Sequence, residues 1–446
     1  MFSLHETTKT WLCRAAFIGF ACAPTVMVLA WCLVAGSDWY RRAHEQAIAT
    51  QLGLSTRLAA VSLPRPRLVL YRELELADPN NGQLLARLPF VEIESRGEVT
   101  EVRLPFPAIV NGTRFDALWQ VVHDLARPAA AIGRVQFSAQ NLTVHLVSGD
   151  QTLTDVVAQI DGDGVQTMAQ ASFRRADGLA GSEPCEVFVT RRLHAGATVH
   201  AVELSTGAAS LPSSAIASIW PGVERLGKKC EFSGRLAAFE QGGAWRTELQ
   251  GRLSGIELDL VMRPFRHKLT GVAEAQLDRL VIAGGRMETA AGNVTAGPGV
   301  ISRSLVQSAE THLHIRATDF ALRGVGNLLE YERLCAGFEL GPQGLTLRGA
   351  VPQTRGGLLV DAQRILVHEP PVISQPVVDL VRTLVPQSEV QVPATRETVI
   401  LTSALPVPSI MPQPGHEEPL PQARPLNVKP RPLDAGPPVG NGNYRR

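Results

Sequence analysis

The residue types best suited to chemistry are few in this chain, and their spacing does not assemble them. His312 and His314 lie two apart, a spacing that puts both on one face of a strand. Two imidazoles can begin a zinc site, but the site needs further ligands at coordinating distance, and no spacing here supplies them. They read as two histidines on a polar face. Asp161 and Asp163 imitate the start of a calcium loop, yet the twelfth position, which must be a bidentate Glu, is Ser172. Asp161-Gly162-Asp163-Gly164 therefore reads as a hairpin turn. Cys185, Cys230 and Cys335 are scattered and odd in number, which suits buried thiols with at most one bridge rather than a disulfide framework. The sequence contains no GxSxG elbow, no HExxH and no phosphate loop ending in Gly-Lys-Ser/Thr. The glycines between Gly284 and Gly299 do not open a helix in a βαβ unit, so they punctuate strands. Asn111, Asn141 and Asn293 begin N-x-Thr sequons, which matter only in a glycosylating secretory pathway. No nucleophile, acid–base pair, metal set or cofactor loop is placed, so neither an enzyme nor a cofactor is expected.

What the chain does place repeatedly is an apolar face. Ile256, Leu258 and Leu260 alternate with Glu257 and Asp259, and Ala273, Ala275 and Leu277 alternate with Glu274, Gln276 and Asp278. Alternation with period two marks a strand with one buried face. These six apolar residues are the candidate lining of a groove. A closed sandwich would show the same alternation, so open groove and closed core both remain as readings.

The element that must carry this face is preceded by Ala15 to Ser37, 23 residues without a charge. A bilayer core takes about 20 apolar residues as a helix. Pro24 is tolerable there, and Trp11, Trp39 and Tyr40 stand at the two ends, where amphipathic rings prefer to lie. The expectation is a single-pass anchor in the inner (cytoplasmic) membrane, with the bulk of the chain periplasmic or otherwise outside the cytoplasm. A signal peptide cleaved near Val34-Ala35-Gly36 is the rival reading, although the apolar run exceeds the ~7–15 residues of a signal core. Cys13, Cys22 and Cys32 lie in or beside this run. Net charge is +1 and aromatics are 5%, so neither a basic footprint nor stacking platforms point to nucleic acid.

In chain order, residues 1–14 form a cytoplasmic N-terminus, 15–37 the anchor and 38–56 a juxtamembrane helix or linker. A first β-rich unit spans 57–227. It contains a hairpin from Arg67 to Glu94 around Asp78-Pro79-Asn80-Asn81-Gly82, and helices near 114–127 and 214–226, the second capped by Ser213. A second unit, 228–404, is a meander with helices near 302–311 and 375–384. Residues 405–446 are rich in proline, which fixes φ and removes the backbone donor, so a disordered tail is expected. The fold class is mostly β: a transmembrane helix, then an elongated, curved antiparallel sheet, as groove or sandwich, with a few amphipathic helices.

Two stretches, Leu52 to Leu85 and Phe232 to Ser302, taken with the N-terminal anchor, resemble the AsmA-like envelope protein family. Leu76-Ala77-Asp78-Pro79 with Gly82 matches that family's L-x-D-P-x-x-G turn, and the strands of G-x-L-x-G type match its repeated sheet. The chain departs from the family by being short. The resemblance implies a long curved sheet with an apolar inner face, no catalytic residues, and a role in lipid transport or outer-membrane and cell-envelope biogenesis. It implies a lipid or lipid-like ligand, the membrane and an envelope protein as partners. A non-catalytic scaffold or adaptor of an envelope or secretion complex is the alternative.

Overall fold

The computed structural model describes residues 6–112 and 134–385, apart from 147, 163–165, 179–182, 195–196, 208, 217–220, 242–243, 324–325, 353, 363 and 372–373. The helix expected at 114–127 and the proline-rich segment 405–446 lie outside the described residues, as does part of the turn at Asp161–Gly164. The chain groups into one unit from Met1 to Pro408 and a second from Ser409 to Arg446.

The unit opens as helix, in three abutting segments: α1 (Glu6–Phe17), a π-helical turn (Ile18–Cys22) and α2 (Ala23–Ala35). Pro24 has no N–H, and its ring presses on the carbonyl four residues back. The turn before it is widened, with Ala23 N–H bonded to the Ile18 carbonyl, five residues back. Thr25 Oγ1 donates to the Ala21 carbonyl at 2.7 Å. The unbroken helix expected over 15–37 is thus divided, and among the described residues no helix is long and apolar enough to cross a membrane. α3 (Asp38–Leu52) follows. Its Ser37 cap accepts from Tyr40 N–H at 3.3 Å, and it stops at Gly53, whose φ of +68° suits a residue without Cβ.

Beyond α3 the chain is strand. β1 (Ser55–Arg57) and β2 (Ala60–Arg65) together edge β3 (Leu68–Ala77), which pairs with β4 (Leu84–Arg96). The connecting turn is the expected one: Asp78 Oδ1 accepts from Asn80 N–H at 2.9 Å. β5 (Val99–Leu104) and β6 (Ala108–Asn111) pair antiparallel with β4 but parallel with β7 (Arg134–Leu146). The sheet is therefore mixed, not wholly antiparallel. A parallel pairing needs a crossover of a dozen or more residues, and the connection between Asn111 and Arg134 is that long.

From β7 an antiparallel meander continues through β8 (Gly149–Gly162), β9 (Gln166–Arg175), β10 (Cys185–His194) and β11 (Ala197–Ser205). β12 (Leu211–Pro212) is a short edge on β13 (Glu231–Gln241). β13 pairs β11 directly and leads to β14 (Ala244–Glu257), β15 (Val272–Ala283) and β16 (Arg286–Ala296). β17 (Gly299–Ser302) pairs β19 (Leu328–Tyr331) in a separate two-stranded sheet and bridges Leu269 through Ile301. β18 (Arg316–Ala317), β20 (Arg333–Gly341), β21 (Gly344–Gly349), β22 (Gly357–Val360) and β23 (Ile365–His368) complete a sheet of 21 strands.

Helical segments are short. Of the helix expected over 214–226, residues 217–220 lie outside the described residues, and the flanking segments are 3-10 turns, Ser213–Ile216 and Pro221–Leu226. α4 (Leu258–Met262), α5 (Arg303–Leu313), α6 (Asp319–Arg323) and α7 (Val377–Leu384) follow, α5 and α7 standing where helices near 302–311 and 375–384 were expected.

Two buried clusters lie along the sheet. One gathers Leu58, Tyr71, Leu74, Val91, Leu104 and Val156; the other runs from Cys185 to Val377, and Phe173 packs against both. The change of core therefore falls between Val156 and Cys185. It does not fall at 227/228, where the β11–β13 pairing carries the sheet straight through. Inside the first cluster Tyr71 and Leu74 face the same way although three apart. Glu73 between them takes φ of +49° opposite Pro89, which has no N–H for the ladder, and this turns the face over.

Candidate functional site

Residues directly opposed on neighbouring strands share one face of a sheet. Val69 of β3 opposes Ile93, Ile93 opposes Val102, and Val102 aligns with Phe137. Phe137 opposes Ala158, which opposes Ala171, which opposes Val187. The line goes on through Leu204, Leu236, Leu249 and Leu280. It ends through Ala290, Leu340 and Leu345. Fourteen strands thus contribute one residue each, and every one is apolar. At ~4.8 Å per strand the row is roughly 60 Å long, measured along the sheet. A second row, two residues away, joins Val135, Ile160, Ala169, Val189, Val202 and Ala238.

Burial changes along these rows. From Val69 to Val187 the first row is half-buried, whereas from Leu204 onward it is sealed, Leu236 to 0% exposure and Leu249 to 1%. The sealing groups are Val223 of the second 3-10 turn, Met262 of α4, Leu305 and Val306 of α5, and Val377 of α7, all in the same cluster. The half-buried part of the row runs from β3 to β10, where Phe137 packs against the first cluster and Val187 against the second.

The expected lining residues fall in the closed part. Ile256, Ala273, Ala275 and Leu277 do face inward, as the alternation of β15 required, but they are core, Ala273 at 0% exposure. Leu258 and Leu260 are not on a strand. The β14–β15 register shifts between Leu253 and Ile256, where Gly255 has φ of +72°, and β14 stops at Glu257. The residues that follow form α4, in which Leu258 and Met262, four apart, are buried and Leu260 is half-buried. The alternation of Ile256, Leu258 and Leu260 thus crosses a change of period and is not one strand face. The glycines of the G-x-L-x-G strands have a local cause. Gly234, Gly251 and Gly292 lie where backbones approach so closely that a Cβ would overlap a carbonyl of the neighbouring strand, Ser233's in the case of Gly251.

The other chemistry-bearing residues are not brought together. His312 lies in the last turn of α5, and His314 caps it with φ of +52°, so they do not share a strand face. Asp161 is engaged by Arg134 Nε at 2.7 Å. Among the described residues no group of three or more His, Cys, Asp or Glu is placed to hold a metal. Cys185, Cys230 and Cys335 are free and buried, and burial pushes each thiol's pKa up, the setting of a structural thiol rather than a nucleophile. One pairing escaped sequence reasoning: His267 Nδ1 lies 3.0 Å from Ser304 Oγ, which donates to Ser302 Oγ at 3.2 Å. Burial lowers the His267 pKa. A serine beside an imidazole is the start of a nucleophile–base pair. Here no described carboxylate orients the ring, and Ser302 Oγ accepts from Lys268 N–H at 3.1 Å, so the group ties α5 to the preceding loop.

A polar border was also missed. Two residues beyond the second apolar row, Thr167, Arg191, His200 and Glu240 oppose one another in turn on β9, β10, β11 and β13. Thr167 and His200 are buried. The signal was present in Val187-x-Val189-x-Arg191, which sets Arg191 on the apolar side of β10 and its neighbour Arg192 on the other. The chain matches no family model, and no curated protein and no solved structure is significantly similar to it.

Proposed function

We propose that the chain is a membrane-anchored, AsmA-like lipid-handling protein of the cell envelope, in which the apolar face of the sheet receives acyl chains. The observation that carries this reading is the uninterrupted apolar row across fourteen strands, only half-buried as far as Val187. A closed sandwich needs no row left partly uncovered, whereas a lipid surface does. The anchor is the helical stretch around the π turn. Its apolar side chains find no protein core: Phe20 is 87% exposed, Leu33 78% and Met27 76%. Leaving that surface in water costs about 25 cal/mol per Å², and a bilayer removes the cost. The protein is then single-pass in the inner membrane with its sheet outside the cytoplasm, and it works by binding, without catalysis, cofactor or nucleic acid.

The sealed core around Leu236 and Leu249 favours a second reading, a scaffold of an envelope or secretion complex. One experiment separates the two. The full-length protein is extracted in mild detergent and examined by native mass spectrometry. Lipid adducts that vanish in Val187→Glu, with the thermal transition retained, support lipid handling. A wild-type protein free of lipid adducts and recovered with a stoichiometric protein partner refutes it in favour of the scaffold.

A further inference from the structure

We propose that Arg191 is the headgroup anchor of this apolar face and takes the phosphate of a membrane glycerophospholipid whose acyl chains lie across Val189 and Val187. The inference rests on the lipid-handling reading and adds the class of ligand and the residue that orients it.

Cys185, Val187, Val189 and Arg191 share the inward face of β10, and Arg192 faces the other way. The two arginines differ sharply. Arg192 donates from Nε and Nη2 to Gln166 Oε1 at 3.3 and 3.0 Å. Arg191 has its Nε and Nη1 buried with no hydrogen-bond partner. Other deep arginines in the unit are satisfied. Arg303 donates Nε to the Gly326 carbonyl at 2.7 Å and Nη1 to the Phe320 and Ala321 carbonyls at 2.6 Å. Arg175 is held by Asp177, Glu231 and Ser210.

A guanidinium cannot shed its charge to escape burial. Arg191 as a whole is half-buried, but its Nε and Nη1 donors lie out of solvent with nothing to receive them; such donors are costly, and an anion placed against them satisfies both. Among the described residues no carboxylate stands opposite Arg191. Its cross-strand partners are Thr167 and His200, and Glu240 stands beyond His200, two strands away, or roughly 10 Å at ~4.8 Å per strand. That exceeds ion-pair range. The position also fits an amphiphile. Arg191 lies one strand repeat, about 7 Å, from Val189 along the same face, so a head bound there sets its chains on the half-buried rows. Among anionic amphiphiles, a glycerophospholipid is the one that the bilayer around the anchor supplies.

The test uses delipidated full-length protein in detergent, titrated with short-chain phosphatidylglycerol, with diacylglycerol of the same chains and with the matching free fatty acid. Wild type should bind phosphatidylglycerol at least ~10-fold more tightly than diacylglycerol. Arg191→Gln should remove that preference and leave diacylglycerol binding unchanged, whereas Arg192→Gln should alter neither. Equal wild-type affinity for the two probes overturns the anchor, and that measurement does not depend on any variant folding. Phosphatidylglycerol binding unchanged in a folded Arg191→Gln variant also overturns it, with the lipid reading intact. Fatty acid bound as tightly as phosphatidylglycerol and lost in Arg191→Gln would replace the phosphate by a carboxylate. Failure of wild type to bind any of the three refutes the lipid reading itself.

Discussion

Val187 and Leu249 stand on one row of one sheet face, yet their burial differs, and that contrast can be measured. Leu249 is 1% exposed and lies between Leu236 and Leu280. Replacing it by alanine removes three methyl or methylene groups from a sealed core and leaves a cavity, at a cost of about 2–5 kcal/mol. Val187 is half-buried, so Val187→Ala removes two methyl groups that already meet solvent in part. Full burial of such groups contributes ~0.8 kcal/mol each, so half-burial predicts a loss of about 1 kcal/mol or less. In delipidated protein the Leu249→Ala midpoint should therefore fall by several degrees more than that of Val187→Ala. Adding phosphatidylglycerol should test the two positions through a second response. A ligand that binds only the folded state stabilises by RT ln(1 + [L]/Kd), about 2.7 kcal/mol at a hundredfold excess over Kd. Leu249→Ala should keep that increment and Val187→Glu should lose it. Equal destabilisation by the two alanine variants, with no lipid increment in wild type, would mean that the face is closed along its whole length.

Three further outcomes follow from the geometry. Gly251→Ala should destabilise the sheet strongly, since φ of +148° is strained for an L side chain and the new Cβ overlaps the Ser233 carbonyl; a denaturation midpoint within error of wild type would refute the register of β13 on β14. Cys185, Cys230 and Cys335 should resist a thiol reagent in the folded protein and react on denaturation, as mapped by mass spectrometry, because each is buried with a raised pKa. His267 is held below its ordinary pKa by burial, so the unfolded chain binds a proton before the folded one does. Stability should then decline as pH falls below about 6.5, and His267→Gln should flatten that part of the profile; an unchanged slope would show that another group carries it.

How much of this was legible follows from where periodicity stays constant. The hairpin at Arg67–Glu94 and the inward face of Ala273, Ala275 and Leu277 were legible, because turn residues and strict alternation act over a few neighbouring residues. The parallel pairing of β7 was not, because nothing local encodes which earlier strand a returning chain will meet. Leu258 and Leu260 misled because an i, i+2 pattern cannot reveal that the strand has ended after a bulge, and only Gly255, two residues before Glu257, marks the break. How far the face is covered was least legible. Ala158 and Leu236 are both apolar and stand on the same row, and what separates them is whether elements distant in sequence fold over them. α5 and α7 cover the second half, and their pairing through Ser308 Oγ and the Thr383 carbonyl at 2.9 Å joins residues far apart in the chain. The same reasoning explains why Arg191 was passed over. In sequence, Arg191-Arg192 resembles any solvated pair; only the register, with Val189 opposite Val202 and Arg191 opposite His200, sets one of the two on the apolar side. A charge that alternation assigns to the apolar face is thus the more specific feature, since the apolar residues around it fit a closed core equally well, whereas guanidinium donors buried without an acceptor do not.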